Sequence, residues 1–382
     1  MHLRILLGMT DALMVTSSFL PGRGGIESYL AQFCTELRPR VAVLAAARRE
    51  GQDLPEGLGY PTVGFPGSMV IPTRRVTRAV LRAAEELGTD KVLFGTAWPL
   101  VLIGPRLRAA GLRYAVIVHG SELLVPSIGP VIGPRLAAAL SGADLLLPVS
   151  NFTATAVSGS LERRNLTVPP TELLRARVDL HRFRADRETD PIRAKLGLGS
   201  GDRPILFFSR LVKRKGAHRL IQALDDIATQ VPGAVVVIAG TGPQEGSLRK
   251  LAASHGRRVL FTGRVSEAGA PALYAAAEVF AFPVIDRWRG LDVEGLGVVL
   301  LEASASETPC ITGRSGGTPE AVVDDETGYV IDARSRDELV QRTVHVLHNP
   351  HLADRMGKAA RRHVAREFSN RPLPRVLVDW LT

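Results

Sequence analysis

Cysteine is nearly absent: only Cys34 and Cys310 occur in 382 residues. They lie far apart, each in an apolar context, with neither disulfide nor metal-ligand spacing. That excludes a disulfide framework and predicts two reduced core thiols in a cytoplasmic protein. Aromatics are scarce, with three Trp and five Tyr, and the arginines are scattered rather than interleaved with them. This argues against a nucleic-acid partner. No apolar run approaches the roughly 20 residues needed to cross a bilayer. The first stretch, MHLRILLGMTDALMVTSSFLPG, is apolar with an early Arg4, but Asp11 interrupts it and no small-residue cleavage site follows. It is expected to form a first buried strand rather than a signal peptide, with the residues before Met9 a candidate upstream extension.

Positive charge, by contrast, is in excess: 48 Lys and Arg against 38 Asp and Glu give a net +10. Such a balance suits an anionic substrate or an anionic membrane surface, and also simple Arg-for-Lys usage in a GC-rich genome. Hydrophobic content of 45% with 23% charged residues belongs to a globular chain, and its length suits two α/β domains.

Apolar runs of strand length alternate with amphipathic helical patterns. VAVLAAA (41–47), KVLFGT (91–96), YAVIVHG (114–120) and LLLPVS (145–150) read as buried parallel strands. RRVTRAVLRAAEELG (74–88) reads as a helix closed by glycine. RARVDLHRFRADRETDP (175–191) is polar, unpatterned and reads as a link. The rhythm then restarts with PILFFSR (204–210), a helix over 216–232, AVVVIAGTGP (234–243), VLFTGRV (259–265) and VFAFPV (279–284). Two doubly wound domains are predicted. Ligands of such sheets sit beyond the carboxyl ends of the strands, so a cleft between facing domains is the expected site.

Several loops carry candidate chemistry. In PGRGGIESYLAQF (21–33), Gly22, Gly24 and Gly25 let the backbone turn tightly and aim N–H groups at an anion, though a plain strand–helix turn has the same look. SRLVKRKG (209–216) places Arg210 and Lys215 in one loop, as a diphosphate leaving group requires; a solvated basic loop reads alike. His119 of HGSE (119–122) leaves a hydrophobic strand where it could donate to a substrate hydroxyl or simply cap the strand, and Glu122 could fix its tautomer or face water. LDVEGLGVVLLEA (291–303) places Glu294 ahead of an apolar helix and Glu302 about two turns later. Carboxylates there are costly unless they accept hydrogen bonds, and polyhydroxylated ligands supply paired O–H donors. Amides of Gly295, Leu296 and Gly297 would face phosphates. One capping glutamate plus a buried ion pair is the alternative. No aspartate pair with metal-binding spacing accompanies these motifs.

These residues resemble the family 4 retaining glycosyltransferases, whose E-x7-E motif Glu294 and Glu302 match. GGIESYL, HGSE, VSNFT (149–153), VDLHRF (178–183), SRLVKRKG, GTGP, FTGRV, LDVEGLG, LLEASA, SGGTPE and ETGYV follow in the family's order over nearly the whole chain. GGIESYL, SMVIPT (68–73), FGTAWPL (94–100) and GLDVEGLG look most like the actinobacterial GDP-mannose-dependent phosphatidylinositol-mannoside mannosyltransferases. The resemblance implies the GT-B fold, an α/β architecture of two facing Rossmann-like doubly wound domains with an interdomain cleft. Residues 1–180 would bind the acceptor and 181–365 the nucleotide sugar, with a helix over 366–382 packing back on the first domain.

It further implies that Arg210 and Lys215 clamp the diphosphate and that Glu302 takes the ribose hydroxyls. Glu294 would take those of the transferred hexose, and His119 would sit near its reacting carbon. Gly24 and Gly25 would close over the phosphate, while Gly263, Arg264 and Val265 would lie against the base. Transfer would retain the anomeric configuration with no metal or other cofactor, the departing phosphate accepting the acceptor's proton. GDP-mannose and a phosphatidylinositol-mannoside-type lipid are the expected substrates, placing the protein in the cytoplasm at the inner membrane face. A related transferase using another sugar, such as UDP-glucose on a soluble or polysaccharide acceptor, is the alternative. So is a non-catalytic nucleotide-sugar-binding protein.

Three places depart from the family pattern. RARVD puts Arg175 and Arg177 where a glycine-containing loop is usual, either narrowing the cleft or offering a cation to an anionic acceptor. Glu307 stands where a glycine cap is usual, at a local cost of ~1 kcal/mol. LLVPSIGPVIGPRL (123–136), the expected acceptor wall, lacks an aromatic; its apolar character and TRRVTR (73–78) suit docking on an anionic membrane.

Overall fold

The computed structural model describes residues 10–22, 24–49, 51–369 and 371–382. The readings made of residues 1–9 lie outside the described residues. The chain divides into two compact units, one running to Ala176 and including Pro372–Thr382, the other Arg177–Arg371.

In the first unit six strands form one parallel sheet: β1 (Ala12–Val15), β2 (Val41–Ala46), β3 (Thr62–Phe65), β4 (Lys91–Phe94), β5 (Arg113–Val118) and β6 (Leu145–Pro148), in the order β3-β2-β1-β4-β5-β6. The second unit repeats the pattern with β7 (Arg203–Phe208), β8 (Ala234–Ala239), β9 (Val259–Gly263), β10 (Val279–Phe282), β11 (Cys310–Gly313) and β12 (Gly328–Ile331), in the order β9-β8-β7-β10-β11-β12. Every pair in both sheets is parallel. Helices cover a parallel sheet on both faces, so its central strands are apolar throughout rather than alternating. β1, β2, β8 and β10 are buried at every residue. Both cysteines are buried free thiols in these cores.

Helix ends follow local chemistry. The Thr73 hydroxyl accepts the Val76 N–H at 3.2 Å to open Arg74–Leu87, and Gly88 closes it in the left-handed region at φ 69°. Helix Ala217–Gln230 turns Leu220, Ile221, Leu224 and Ile227 into the core. Glu307 takes φ 59°, the conformation for which a glycine would be free of strain.

The division falls between 176 and 177 rather than 180 and 181. The Val178 N–H donates to the Phe368 carbonyl at 3.1 Å, and Arg361 donates to the carbonyls of Leu180 and Phe183. Residues from 177 onward are thereby tied to the second unit. Arg177 donates to the Ser369 carbonyl at 3.5 Å, an anchoring role within that unit. The expected helix over 366–382 is not continuous. Helix Pro350–Val364 ends in a π turn, Ala365–Ser369, and only Arg375–Leu381 is helical beyond it. Pro372 and Pro374 explain the break, because proline lacks the N–H that would continue a helix. The last helix belongs to the first unit, where Trp380 Nε1 donates to Asp144 at 3.2 Å and Lys91 donates to the Leu381 carbonyl at 3.0 Å.

Candidate functional site

In an open parallel sheet, the crevice lies where the strand order reverses, beyond the carboxyl ends of the two strands that flank the reversal. In the second unit those strands are β7 and β10. The loop after β7 ends in a short turn, Lys213–Lys215, and Gly216 follows at φ 84° before helix Ala217–Gln230. A Cβ on Gly216 would lie 2.0 Å from the Pro283 carbonyl oxygen. Only glycine lets this basic loop lie directly against the end of β10.

The segment after β10 brings the carboxylates. Glu294 Oε2 receives Lys215 Nζ at 2.5 Å and Arg214 Nη1 at 2.6 Å. Arg214 also bonds Asp292 Oδ1 through Nε at 2.9 Å. Lys215 Nζ lies 4.9 Å from the centroid of the Phe282 ring. Burial by itself would raise the Glu294 carboxyl, but the charges of Lys215 and then Arg214, with their hydrogen bonds, hold it below the ordinary carboxylate value. Burial draws the Lys215 ammonium below the usual lysine range, against the attraction of Glu294.

The SGGTPE loop fixes the backbone of Glu294. Its N–H donates to Ser315 Oγ at 3.0 Å, Ser315 Oγ donates to Asp286 Oδ1 at 2.5 Å, and the Gly317 N–H donates to the Glu294 carbonyl at 2.9 Å. A Cβ on Gly316 would lie 2.0 Å from that same carbonyl oxygen. After Glu294 the amides of Gly295, Leu296 and Gly297 make no backbone hydrogen bond among the described residues. The Leu296 side chain is buried, and Gly297 opens helix Val298–Ala305 at φ 87°.

Glu302, on that helix, keeps separate company. Its Oε2 accepts the Tyr274 hydroxyl at 2.7 Å. Burial raises its carboxyl to about 7, opposed by the Tyr274 bond and the charge of Arg182. The two glutamates of the motif thus stand in opposite electrostatic states, one held ionised by cations and the other near its midpoint at neutral pH.

Arg210 follows β7 but is exposed, and among the described residues it has no ion pair. The fixed cation beside Lys215 is Arg214, which sequence reasoning passed over because three basic residues in a row give no hint which is turned inward. The GTGP loop holds the neighbouring turn, with Leu211 N–H on the Thr241 carbonyl and Gln244 N–H on the Leu211 carbonyl. Gly263 ends β9 at φ 64°, followed by exposed Arg264 and half-buried Val265.

The remaining candidates belong to the first unit. His119 follows β5, and its Nε2 donates to the Gly95 carbonyl, 2.9 Å away at the end of β4. Burial lowers the imidazole to about 4, so it is neutral at physiological pH. The Tyr29 ring stands edge-on to it at 5.3 Å, with the Tyr29 hydroxyl on the Leu174 carbonyl. The side chain of Glu122 lies outside the described residues. Gly24 opens helix Gly25–Leu37, and a Cβ on it would lie 2.3 Å from Glu27 Oε2. Glu27 therefore folds back over this glycine turn, its other oxygen 2.9 Å from Arg49 Nη2. A Cβ on Gly25 would meet open space.

Among the described residues, no helix is long and apolar enough to cross a membrane. Large apolar side chains are nonetheless exposed in the first unit, among them Met69, Ile128 and Val131.

Comparison with known proteins gives these features a context. Residues 188–363 match the family Glycosyl transferases group 1. The chain is 37% identical over 385 residues to the GDP-mannose-dependent alpha-(1-6)-phosphatidylinositol monomannoside mannosyltransferase of Mycobacterium tuberculosis, covering 98% of each. It is 34% identical over 363 residues to the GDP-mannose-dependent monoacylated alpha-(1-6)-phosphatidylinositol monomannoside mannosyltransferase of Corynebacterium glutamicum, covering 94% of each. The crystal structure of Anabaena Alr3699/HepE in complex with UDP and glucose superposes with a TM-score of 0.77 at 20% identity, over 94% of this chain and 96% of that one, which supports the fold. The chain belongs to the group 1 glycosyl transferases, enzymes of the family 4 type with the GT-B fold.

Proposed function

We propose that the protein is a retaining α-mannosyltransferase that moves mannose from GDP-mannose to a phosphatidylinositol-mannoside acceptor. The observation that carries this reading is the charged cluster at the reversal of the second sheet, in a chain similar over nearly its whole length to enzymes with that donor and acceptor class in their names. Lys215, with Arg210 and the amides of Gly295–Gly297, would receive the diphosphate, and their charge would stabilise it as it departs. Glu294 would accept the mannose hydroxyls and Glu302 the ribose hydroxyls. Gly263, Arg264 and Val265 would border the base. His119, neutral, would bind the sugar as a hydrogen-bonding group rather than as a cation. Gly24 and Gly25 would approach the donor phosphate from the first unit.

Catalysis would rest on positioning and on charge already in place, with no metal required. The leaving phosphate would take the acceptor's proton as the new glycosidic bond forms. The exposed Ile128 and Val131 and the exposed Arg74 and Arg78 would serve membrane docking at the inner face, apolar side chains entering the interface while arginines meet anionic headgroups.

Titration calorimetry tests the donor. GDP and GDP-mannose should bind, and UDP and UDP-glucose should not. Tight UDP-glucose binding without a GDP response would replace the proposal with transfer of glucose.

A further inference from the structure

Glu294 has an unusual problem. Two cations, Lys215 and Arg214, converge on a single oxygen of its carboxylate, at 2.5 and 2.6 Å. If the donor reading above holds, as this inference requires, one of those cations is needed elsewhere, because the diphosphate must draw Lys215 to itself. A buried carboxylate left without a partner would be both costly and free to turn.

The two cations are not equivalent. Among the described residues Lys215 has only Glu294 as an acidic hydrogen-bond partner, and its Nζ is a point charge on a flexible stem. Arg214 is a planar fork with a second attachment, Nε to Asp292 Oδ1 at 2.9 Å. The side chain is 14% exposed. Its own carbonyl is fixed as well, accepting the Ile285 N–H at 3.0 Å. Paired with both Asp292 and Glu294, Arg214 already has its charge compensated, so it has little to offer a diphosphate. Lys215 is the cation that can change partners.

We infer that Arg214 is a positioning residue that keeps Glu294 aimed at the sugar of the donor after Lys215 has exchanged Glu294 for the diphosphate, with Asp292 as its tether. Arg214 touches neither phosphate nor sugar. Its effect therefore falls on the part of the donor that Glu294 holds, and not on the nucleotide.

Calorimetry with GDP and GDP-mannose on the wild-type chain, Arg214→Met, Arg214→Lys and Asp292→Asn, each checked by thermal melting, tests this. Arg214→Met should lower the GDP-mannose affinity about tenfold or more while GDP affinity stays within about threefold, since a tenfold change corresponds to one lost charged contact of ordinary strength. Arg214→Lys should restore part of the loss, because a lysine can hold Glu294 but cannot bridge to Asp292 as well. Asp292→Asn should act in the same direction and less strongly. It covers the case in which Arg214→Met does not fold. Equal weakening of GDP and GDP-mannose would make Arg214 a phosphate contact and overturn the inference, as would unchanged affinities for both. A wild-type chain that binds neither nucleotide would instead overturn the donor reading on which the inference rests.

Discussion

The two sheets have one strand order and different chemistry at the point where that order reverses. In the first, the Gly95 carbonyl after β4 takes the neutral His119 imidazole that follows β5, with Tyr29 beside it. In the second, β7 and β10 are followed by two cations and two carboxylates within hydrogen-bond reach of one another. The glycine turn of the first unit already holds a carboxylate, Glu27, whereas the corresponding turn of the second holds lysines and arginine. A doubly wound sheet supplies the place and the loops supply the charge. On the proposed function, the loops that present cations would take the anionic donor.

The sharpest way to break this contrast is to remove its charges. Lys215→Ala and Glu294→Ala should each cut turnover at least about a hundredfold with melting behaviour retained, since a lost transition-state charge contact costs roughly 3 kcal/mol. Labelled-sugar transfer measures it, and near-normal rates in both variants would remove the basis for the assignment.

A second test asks whether the basic loop needs its contact with β10. Gly216→Ala forces a side chain into the left-handed region and against the Pro283 carbonyl. Such strain costs about 2 kcal/mol or more and should lower the melting temperature by roughly 5 °C or more. An unchanged melting curve would show that the loop does not sit where described.

The third concerns pH. The Glu302 carboxyl stands at about 7 in the folded chain against an ordinary 4.5. Between those values the folded state holds a proton that the unfolded state has released, so this group favours folding most at low pH, and that contribution is lost as pH rises toward 7. In the role proposed for Glu302 the ionised form is the stronger acceptor of ribose hydroxyls, so donor binding should weaken below pH 7 by up to roughly tenfold per unit. Glu302→Gln should flatten both dependences. His119, lowered to about 4, should contribute no titration near neutrality. A donor-binding profile identical in Glu302→Gln and wild type would assign the pH dependence to another group.

The smallest effect is expected at Glu307. Glycine there relieves the φ 59° strain and should stabilise the chain by ~1 kcal/mol, read as a higher denaturation midpoint. A lower midpoint would mean that the nearby Arg361 contact matters more than backbone strain.

Much of this was legible in the sequence, because parallel strands buried on both faces read as unbroken apolar runs. VAVLAAA and AVVVIAGTGP gave β2 and β8 with errors only at their ends. As candidates Lys215 and Glu294 were legible too, each in a glycine-containing loop between a strand and the next long helix. Their pairing was not. Nothing in SRLVKRKG distinguishes inward Arg214 from exposed Arg210, because the direction of a side chain in a short turn is set by the Gly216–Pro283 contact. Tyr274 as the partner of Glu302 was equally hidden, the two being brought together by packing over 28 positions of sequence. The continuous terminal helix failed at Pro372 and Pro374, a signal that the sequence carried and the reading overlooked.

The central claim is tested most directly by incubating the protein with radiolabelled GDP-mannose and phosphatidylinositol monomannoside, then extracting the lipid and determining the linkage and anomeric configuration of the product. The account predicts labelled lipid bearing one additional α-linked mannose, formed by the wild-type chain and lost in Lys215→Ala. Label absent from the lipid, or a β-linked product, would contradict it.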